Sequence, residues 1–162
     1  MDNAIQNYKK AIDLKPDYDE AFCNMGMSLY EKGDLEGAIN RYKKTIEINP
    51  NHAGAYYNLG EVYNKIGKLN SSVLNYKKAI ELEPNFWKAY NNLSLIYSEK
   101  GDLQPAIRIC QKAIDIESKN PDAYNNLGMI YFKSKEYRKA LEKIQKAIEL
   151  KPDFAEAYNN LG

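Results

Sequence analysis

The sequence predicts an all-α fold, a right-handed superhelical solenoid of antiparallel helix pairs. Three observations support this: a segment that recurs at a fixed period, apolar residues at helical spacing, and glycine or proline at regular breaks. The segment Ala-Tyr-Asn-Asn-Leu-Gly occupies residues 123–128 and 157–162, and five of its six letters recur at 55–60 and 89–94. Each copy begins 34 residues after the one before, a period typical of stacked helical repeats.

The period divides the chain into four complete repeats with a partial repeat at each end. Residues 1–18 match the second half of a repeat, and residues 155–162 match the beginning of one. The complete repeats are expected at residues 19–52, 53–86, 87–120 and 121–154, all within one continuous solenoid. The partial repeats suggest a fragment of a longer array.

Each complete repeat opens with apolar or small residues at its fourth, seventh, eighth and eleventh places. In the second complete repeat these are Tyr56, Leu59, Gly60 and Tyr63. This is the spacing of one helical face, so each repeat should begin with a first helix.

A break separates the first helix from the second. Three repeats carry a glycine there that suits a left-handed turn, at Gly33, Gly67 and Gly101. The fourth repeat has Lys135 instead, so we expect its turn to be held in another way. Asp34 and Asp102 can cap the helix that follows.

The second helix carries a small residue, a large one four places later and a small one three places after that. Ala38, Tyr42 and Thr45 show this order. Proline then marks the end of a repeat at three places, Pro50, Pro84 and Pro152. Between the third and fourth repeats, Asn120-Pro121 instead reads as a cap followed by a first helical residue.

Over its whole length this pattern resembles the tetratricopeptide repeat (TPR) family. The resemblance implies close helix pairs in which Gly26, Gly60 and Gly128 accept the usual cost of glycine in a helix, about 1 kcal/mol, because a second helix must approach. It also implies a non-catalytic module that binds a protein or peptide. Cys110 stands where other repeats have tyrosine, so we expect a packed thiol.

Composition gives no support for other functions. The net charge is +1, which argues against nucleic acid, and no apolar run is long enough for a membrane span. No arrangement typical of a catalytic, cofactor or metal site is present, and the lone His52 is expected to be solvated. Cys23 is placed on the helix face away from the core, where we prefer an inert role to a reactive one. The two cysteines favour a reducing, cytoplasmic location.

The candidate binding surface lies on the first helices. The second, fifth, sixth, ninth and thirteenth residues of each repeat share a face opposite the core, with the twelfth at its edge. We call this the first-helix face, and the TPR resemblance implies that it lines a concave, peptide-binding groove. Exposed apolar residues there suggest a binding surface. The predicted groove residues are Asn24, Met27, Tyr57, Asn58, Glu61, Asn91, Asn92, Leu95, Asn125, Asn126, Met129, Phe132 and Asn160.

The sixth residue of each repeat is asparagine, which forms an amide ladder of Asn24, Asn58, Asn92, Asn126 and Asn160. An amide offers donors and an acceptor, so it can hold a peptide backbone without reading its sequence. The same amides can instead bond to the neighbouring repeat, and the sequence leaves both roles open. The family's clamp for acidic chaperone tails needs lysine and asparagine at the fifth and ninth places. It is absent, because those places hold Cys23 and Met27, Tyr57 and Glu61, Asn91 and Leu95, and Asn125 and Met129.

Two alternatives come from other classes of function. The partial repeats present the end of one repeat and the start of another, which predicts head-to-tail self-association. The chain can also be the targeting arm of an enzyme whose catalytic domain lies outside these residues.

Overall fold

The structure, a computed structural model, describes residues 2–162. Ten helices and no strands occur in that range, which confirms the all-α class. The chain divides into two compact units, Met1–Pro84 (unit 1) and Asn85–Gly162 (unit 2).

Unit 1 contains five helices, each joined to the next by a short turn or loop. They are α1 (Asp2–Leu14), α2 (Asp19–Glu31), α3 (Leu35–Ile48), α4 (Ala53–Lys65) and α5 (Leu69–Leu82). Each helix packs against the next, and α2 also contacts α4. The first helices of the predicted repeats are α2 and α4, and the second helices are α1, α3 and α5.

Unit 2 repeats this arrangement. Its helices are α6 (Trp87–Glu99), α7 (Leu103–Ile116), α8 (Pro121–Lys133), α9 (Tyr137–Leu150) and α10 (Ala155–Leu161). Sequential helices pack together, and α6 also contacts α8. The first helices here are α6, α8 and α10. The short α10 is anchored by the buried side chains of Phe154 and Ala157.

Glycine permits the close approach of paired helices. A Cβ atom added at Gly60 would lie 2.7 Å from Cε1 of Tyr76, and one added at Gly128 would lie 2.6 Å from Cγ1 of Ile144. Both distances are shorter than real Cβ contacts, so a side chain at either glycine would displace its neighbour. The small-against-large pairing expected from the sequence is therefore present in both units.

We expected the turn of the fourth repeat to be held in another way than the glycine turns, and this expectation is wrong. Lys135 takes a left-handed backbone with φ of 64°, in the same region as Gly33, Gly67 and Gly101. The amide of Glu136 donates to the carbonyl of Tyr131, as the amide of Asp102 does to that of Tyr97. A lysine therefore accepts a conformation that costs an L-residue about 1–2 kcal/mol.

The helix caps correct two expectations. Asp34 caps α3 through Oδ1, which accepts from the Gly37 amide, but Asp102 makes no side-chain cap bond to α7. His52 is not a solvated loop residue, because its Nδ1 accepts from the Ala55 amide at 3.1 Å and caps α4. Asn120 caps α8 as expected, and this explains its burial at a helix end.

Candidate functional site

The first-helix face of unit 1 is formed by α2 and α4. Its most exposed apolar side chain is Met27, at 43%. Asn24, Tyr57, Asn58 and Glu61 are half-buried. Because Met27 and Tyr57 keep part of their apolar surface in contact with solvent, this face can bury more apolar area when a partner binds.

Polar contacts orient the aromatic rings of this face. The Tyr57 hydroxyl donates to Oε1 of Glu61 at 2.9 Å. The Lys65 ammonium lies 4.6 Å from the centroid of the Tyr30 ring, within the range of a cation–π contact. Burial, and then the charge of Glu61, raise the pKa of Tyr30 above its ordinary value. The face therefore combines two tyrosines with a carboxylate and an ammonium group.

Cys23 does not lie away from the core, as the sequence suggested. It is buried in a cluster with Ala38, Tyr42 and Leu59, and its sulfur accepts from Nδ2 of Asn58 at 3.7 Å. Burial, reinforced by the charge of Glu20, raises the pKa of the Cys23 thiol to about 11, with Asn58 acting in the opposite direction. The thiol is therefore protonated near neutral pH, which supports the inert role.

The first-helix face of unit 2 is formed by α6, α8 and α10. Phe132 is 53% exposed, and Leu95 and Met129 are half-buried. Asn91 and Asn125, in contrast, are buried. The apolar side chains of the predicted groove thus reach solvent in unit 2, while two of its predicted polar residues do not.

The amide ladder connects neighbouring repeats within unit 2. Nδ2 of Asn126 donates to Oδ1 of Asn91 at 3.1 Å, and Nδ2 of Asn160 donates to Oδ1 of Asn125 at 3.0 Å. Asn125 also donates to Oε1 of Glu156 at 3.3 Å. In unit 1 the contact between Asn58 and Cys23 has the same register. The sixth residue of one repeat therefore bonds to the fifth residue of the repeat before it.

A cavity of about 410 Å³ lies between α8, α9 and α10. Its apolar wall includes Met129, Phe132, Tyr137, Leu141 and Ile144. The rings of Phe132 and Tyr137 meet edge to face, with centroids 5.5 Å apart. Sequence reasoning missed Tyr137 and Leu141, because it read the second helices only for their core positions. Their apolar character at places where other repeats also carry apolar residues was the available signal.

Other kinds of site find no support in the described residues. No group of three or more His, Cys, Asp or Glu side chains within residues 2–162 could hold a metal ion. No helix in the same range has the length and apolar character needed to cross a membrane. Cys110 is fully buried and donates to the carbonyl of Ala123, which confirms the packed thiol.

Family models match almost the whole chain. The model described as TPR repeat matches residues 1–30, 26–67, 60–101 and 95–135, and the model described as tetratricopeptide repeat matches residues 121–154. The chain belongs to the tetratricopeptide repeat family. The fold is therefore that of a TPR-type helical solenoid, and the family role it supports is that of a protein–protein interaction scaffold, typically without catalysis. No curated protein matches the chain.

Solved structures agree with this assignment. A crystal structure of MamA superposes with a TM-score of 0.84 at 28% identity, over 96% of this chain and 91% of that one. MamA from Desulfovibrio magneticus RS-1 gives 0.83 at 25%, over 95% and 87%. PilF of Pseudomonas aeruginosa gives 0.82 at 20%, over 88% and 65%, and at this identity it shows the fold alone.

Proposed function

We propose that this TPR protein binds a peptide or helical segment that carries apolar side chains, on the first-helix faces of its two units. The observation that carries the proposal is the exposure of apolar side chains at repeated positions of these faces. Met27 in unit 1 and Phe132 in unit 2 are the most exposed of the predicted groove residues. Tyr57, Leu95 and Met129 supply further apolar contact area.

Repetition strengthens this argument. A single exposed apolar residue on a surface needs no explanation, but exposed apolar residues that recur at the same repeat position suggest a binding surface on each unit. The ninth residue of the repeat is Met27, Leu95 or Met129 in three of the four repeats. Methionine has three rotatable bonds and adapts to partners of different shape.

The amide ladder has two roles in this proposal. Each asparagine amide has two N–H donors and a carbonyl acceptor. The contacts of Asn58, Asn126 and Asn160 with the preceding repeat use one donor each. The second donor and the carbonyl oxygen remain suited to a peptide backbone, so the ladder positions repeats and also offers polar contacts to the bound segment.

Selection from a random peptide library on the intact chain tests the proposal. Peptides selected on the natural protein should be enriched in apolar side chains. Some of these peptides should bind to unit 2. For those peptides, the double variant Met129→Ser with Phe132→Ser should bind about 10-fold more weakly or worse, because two exposed apolar contacts disappear.

Leu74→Ser provides the matched control. Leu74 is also a large exposed apolar residue, but it lies on the second helix α5 and outside the first-helix face. The control should bind the selected peptides with unchanged affinity. Peptides that lose affinity in the Leu74→Ser variant and keep it in the double variant would overturn the proposal.

A second candidate function is head-to-tail association of two copies. Tyr8 on α1 is only half-buried, whereas the equivalent Tyr42 and Tyr76 are buried against Gly26 and Gly60. We propose that the half-buried Tyr8 ring of one copy packs against α10 of the next copy, as tyrosine packs against a first helix within unit 1.

Sedimentation over a concentration series tests this candidate. The natural chain should show a mass that rises with concentration, and Tyr8→Asp should remove the rise, because a carboxylate would be buried against α10. A monomer at every concentration, or association that Tyr8→Asp does not change, would contradict it.

A further inference from the structure

We propose that the first-helix face of unit 1 recognises a basic peptide segment, in which a lysine or arginine stands next to an apolar side chain. This inference rests on the proposed function and gives the chemistry of the bound segment. It concerns only the surface formed by α2 and α4.

The charge of α2 is the first argument. Its only charged residues are Asp19, Glu20 and Glu31, and it carries no lysine or arginine. Glu20 and Glu31 occupy the second and thirteenth places of the repeat, which belong to the first-helix face. Glu61 on α4 occupies the ninth place of the next repeat, so carboxylates from both helices border Met27 and Tyr57.

The carboxylates are near enough to influence this face. Glu61 accepts the Tyr57 hydroxyl at 2.9 Å. The charge of Glu61 also contributes to the raised pKa of Tyr30, and the charge of Glu20 contributes to that of Cys23. An approaching cation would therefore meet a negative potential beside exposed apolar surface, which is the complement of a basic, partly apolar segment.

The face already accommodates one cation. The Lys65 ammonium stands over the Tyr30 ring at 4.6 Å from its centroid. Guanidinium and ammonium groups bind aromatic faces in the same way when a ligand supplies them. Tyr57 places a further aromatic ring on the neighbouring helix, where its hydroxyl donates to Glu61 and its ring packs on Tyr76 with centroids 5.7 Å apart.

Unit 2 lacks this charge pattern. The second and thirteenth places of α6 hold Lys88 and Glu99, and those of α8 hold Asp122 and Lys133, so each of these helices carries both signs. In unit 1, α4 also carries both signs, with Glu61 and Lys65, but α2 carries carboxylates alone. The ninth places of unit 2 hold Leu95 and Met129 in place of a carboxylate. A preference for basic segments should therefore belong to unit 1.

Fluorescence anisotropy with two defined peptides tests the inference. One labelled serine-rich peptide carries leucine and lysine, and a matched peptide carries glutamate in place of each lysine. The basic peptide should bind more tightly than the acidic one. The variant Glu31→Gln with Glu61→Gln should weaken the basic peptide about 3-fold to 10-fold, since each exposed ion pair contributes modestly.

The matched control is Glu47→Gln with Glu81→Gln. These glutamates lie on the second helices α3 and α5, where they pair with Lys44 and Lys78. The control changes the net charge by the same amount, so a general charge effect would weaken both variants equally. We expect the control to change the affinity for the basic peptide by less than about 2-fold. Near 0.5 M salt, the two double variants should no longer differ in this affinity, because salt screens exposed charges.

The outcomes separate the two proposals. Equal binding of both peptides, with no effect of Glu31→Gln and Glu61→Gln, would overturn the charge preference and leave apolar peptide binding in place. Equal weakening by the control variant would also overturn it. Failure of both peptides to bind would overturn the charge preference together with peptide binding by unit 1.

Discussion

Units 1 and 2 share their helix pairing, but they differ at the fifth residue of the repeats that form their first-helix faces. In unit 2 this residue is Asn91 or Asn125, and each accepts an amide bond from the repeat that follows. In unit 1 the fifth residues are Cys23 and Tyr57, and Cys23 accepts a long contact from Asn58, at 3.7 Å. The neighbouring ninth residue is apolar in unit 2 and becomes Glu61 in α4 of unit 1. The fifth residue of the repeat thus determines the side-chain bonds between repeats, and the ninth residue determines whether a carboxylate lies on the face.

This difference shows that the same repeat can use its polar side chains to join neighbouring repeats in one unit and to charge the surface in the other. Buried Asn91 and Asn125 need partners, because an unsatisfied buried amide costs about 1–3 kcal/mol. The amides of Asn126 and Asn160 donate to the side-chain oxygens of these two residues. In unit 1 the buried Cys23 thiol needs a hydrogen-bond partner less than a buried amide does. Charged groups of this unit lie at the surface of its first-helix face.

The largest expected effect tests the packing that both units share. Gly128→Ala should lower the free energy of unfolding by about 1–3 kcal/mol, because its Cβ would lie 2.6 Å from Ile144 and 3.1 Å from the backbone oxygen of Ala140. Gly60→Ala should cost less, since its nearest neighbours are side-chain atoms of Tyr76. Urea unfolding followed by circular dichroism measures both.

The second prediction tests the difference at the fifth residue. Asn125→Ala should cost about 2 kcal/mol, since it removes the bonds to Glu156 and Asn160. Cys23→Ala should cost about 1 kcal/mol, because it loses mainly packing. Urea unfolding of the two variants gives the comparison. A larger loss for Cys23→Ala would contradict the account of the ladder.

The third prediction concerns the lysine turn of unit 2. Lys135→Gly should stabilise the protein by about 1 kcal/mol, since glycine accepts a φ of 64° without steric cost. Gly67→Lys, at the same turn of unit 1, should destabilise it by a similar amount. Thermal unfolding of the two variants should therefore shift in opposite directions. Shifts of the same sign would show that lysine is not strained in this turn.

The smallest effect compares two aspartates at the same repeat position. Asp34→Ala in unit 1 should cost about 1 kcal/mol, because Oδ1 of Asp34 caps α3 through the Gly37 amide. Asp102→Ala in unit 2 should change stability by less than about 0.5 kcal/mol, because Asp102 makes no side-chain cap bond. Equal losses in urea unfolding would contradict this difference.

The periodic positions could be predicted from the sequence because they repeat. The repeat pattern and the TPR resemblance predicted that a second helix approaches Gly60, and proline or glycine marked the ends of the helices. The left-handed backbone of Lys135 could not be predicted in the same way. Residue preference favours glycine at this place, but the surrounding backbone bonds impose the glycine-type turn on lysine. His52 was missed as a cap for a related reason, since histidine is not among the preferred capping residues.

The candidate site was harder to predict than the fold. The sequence identified which residues share the first-helix face, and the structure places Met27 and Phe132 at its surface. Helical spacing could not show that Cys23, Asn91 and Asn125 are buried, because contact with the next repeat decides their exposure. The partners of the amide ladder depend on the same contact between repeats.

Methionine methyl NMR tests most directly whether the first-helix faces bind, and whether unit 1 prefers basic segments. Met27 and Met129 lie at the ninth place of their repeats in units 1 and 2, while Met25 is buried and serves as an internal control. On addition of the basic leucine and lysine peptide, the Met27 signal should shift more than that of Met129, and Met25 should stay unchanged. A peptide that binds while the Met27 signal remains unchanged would contradict the account.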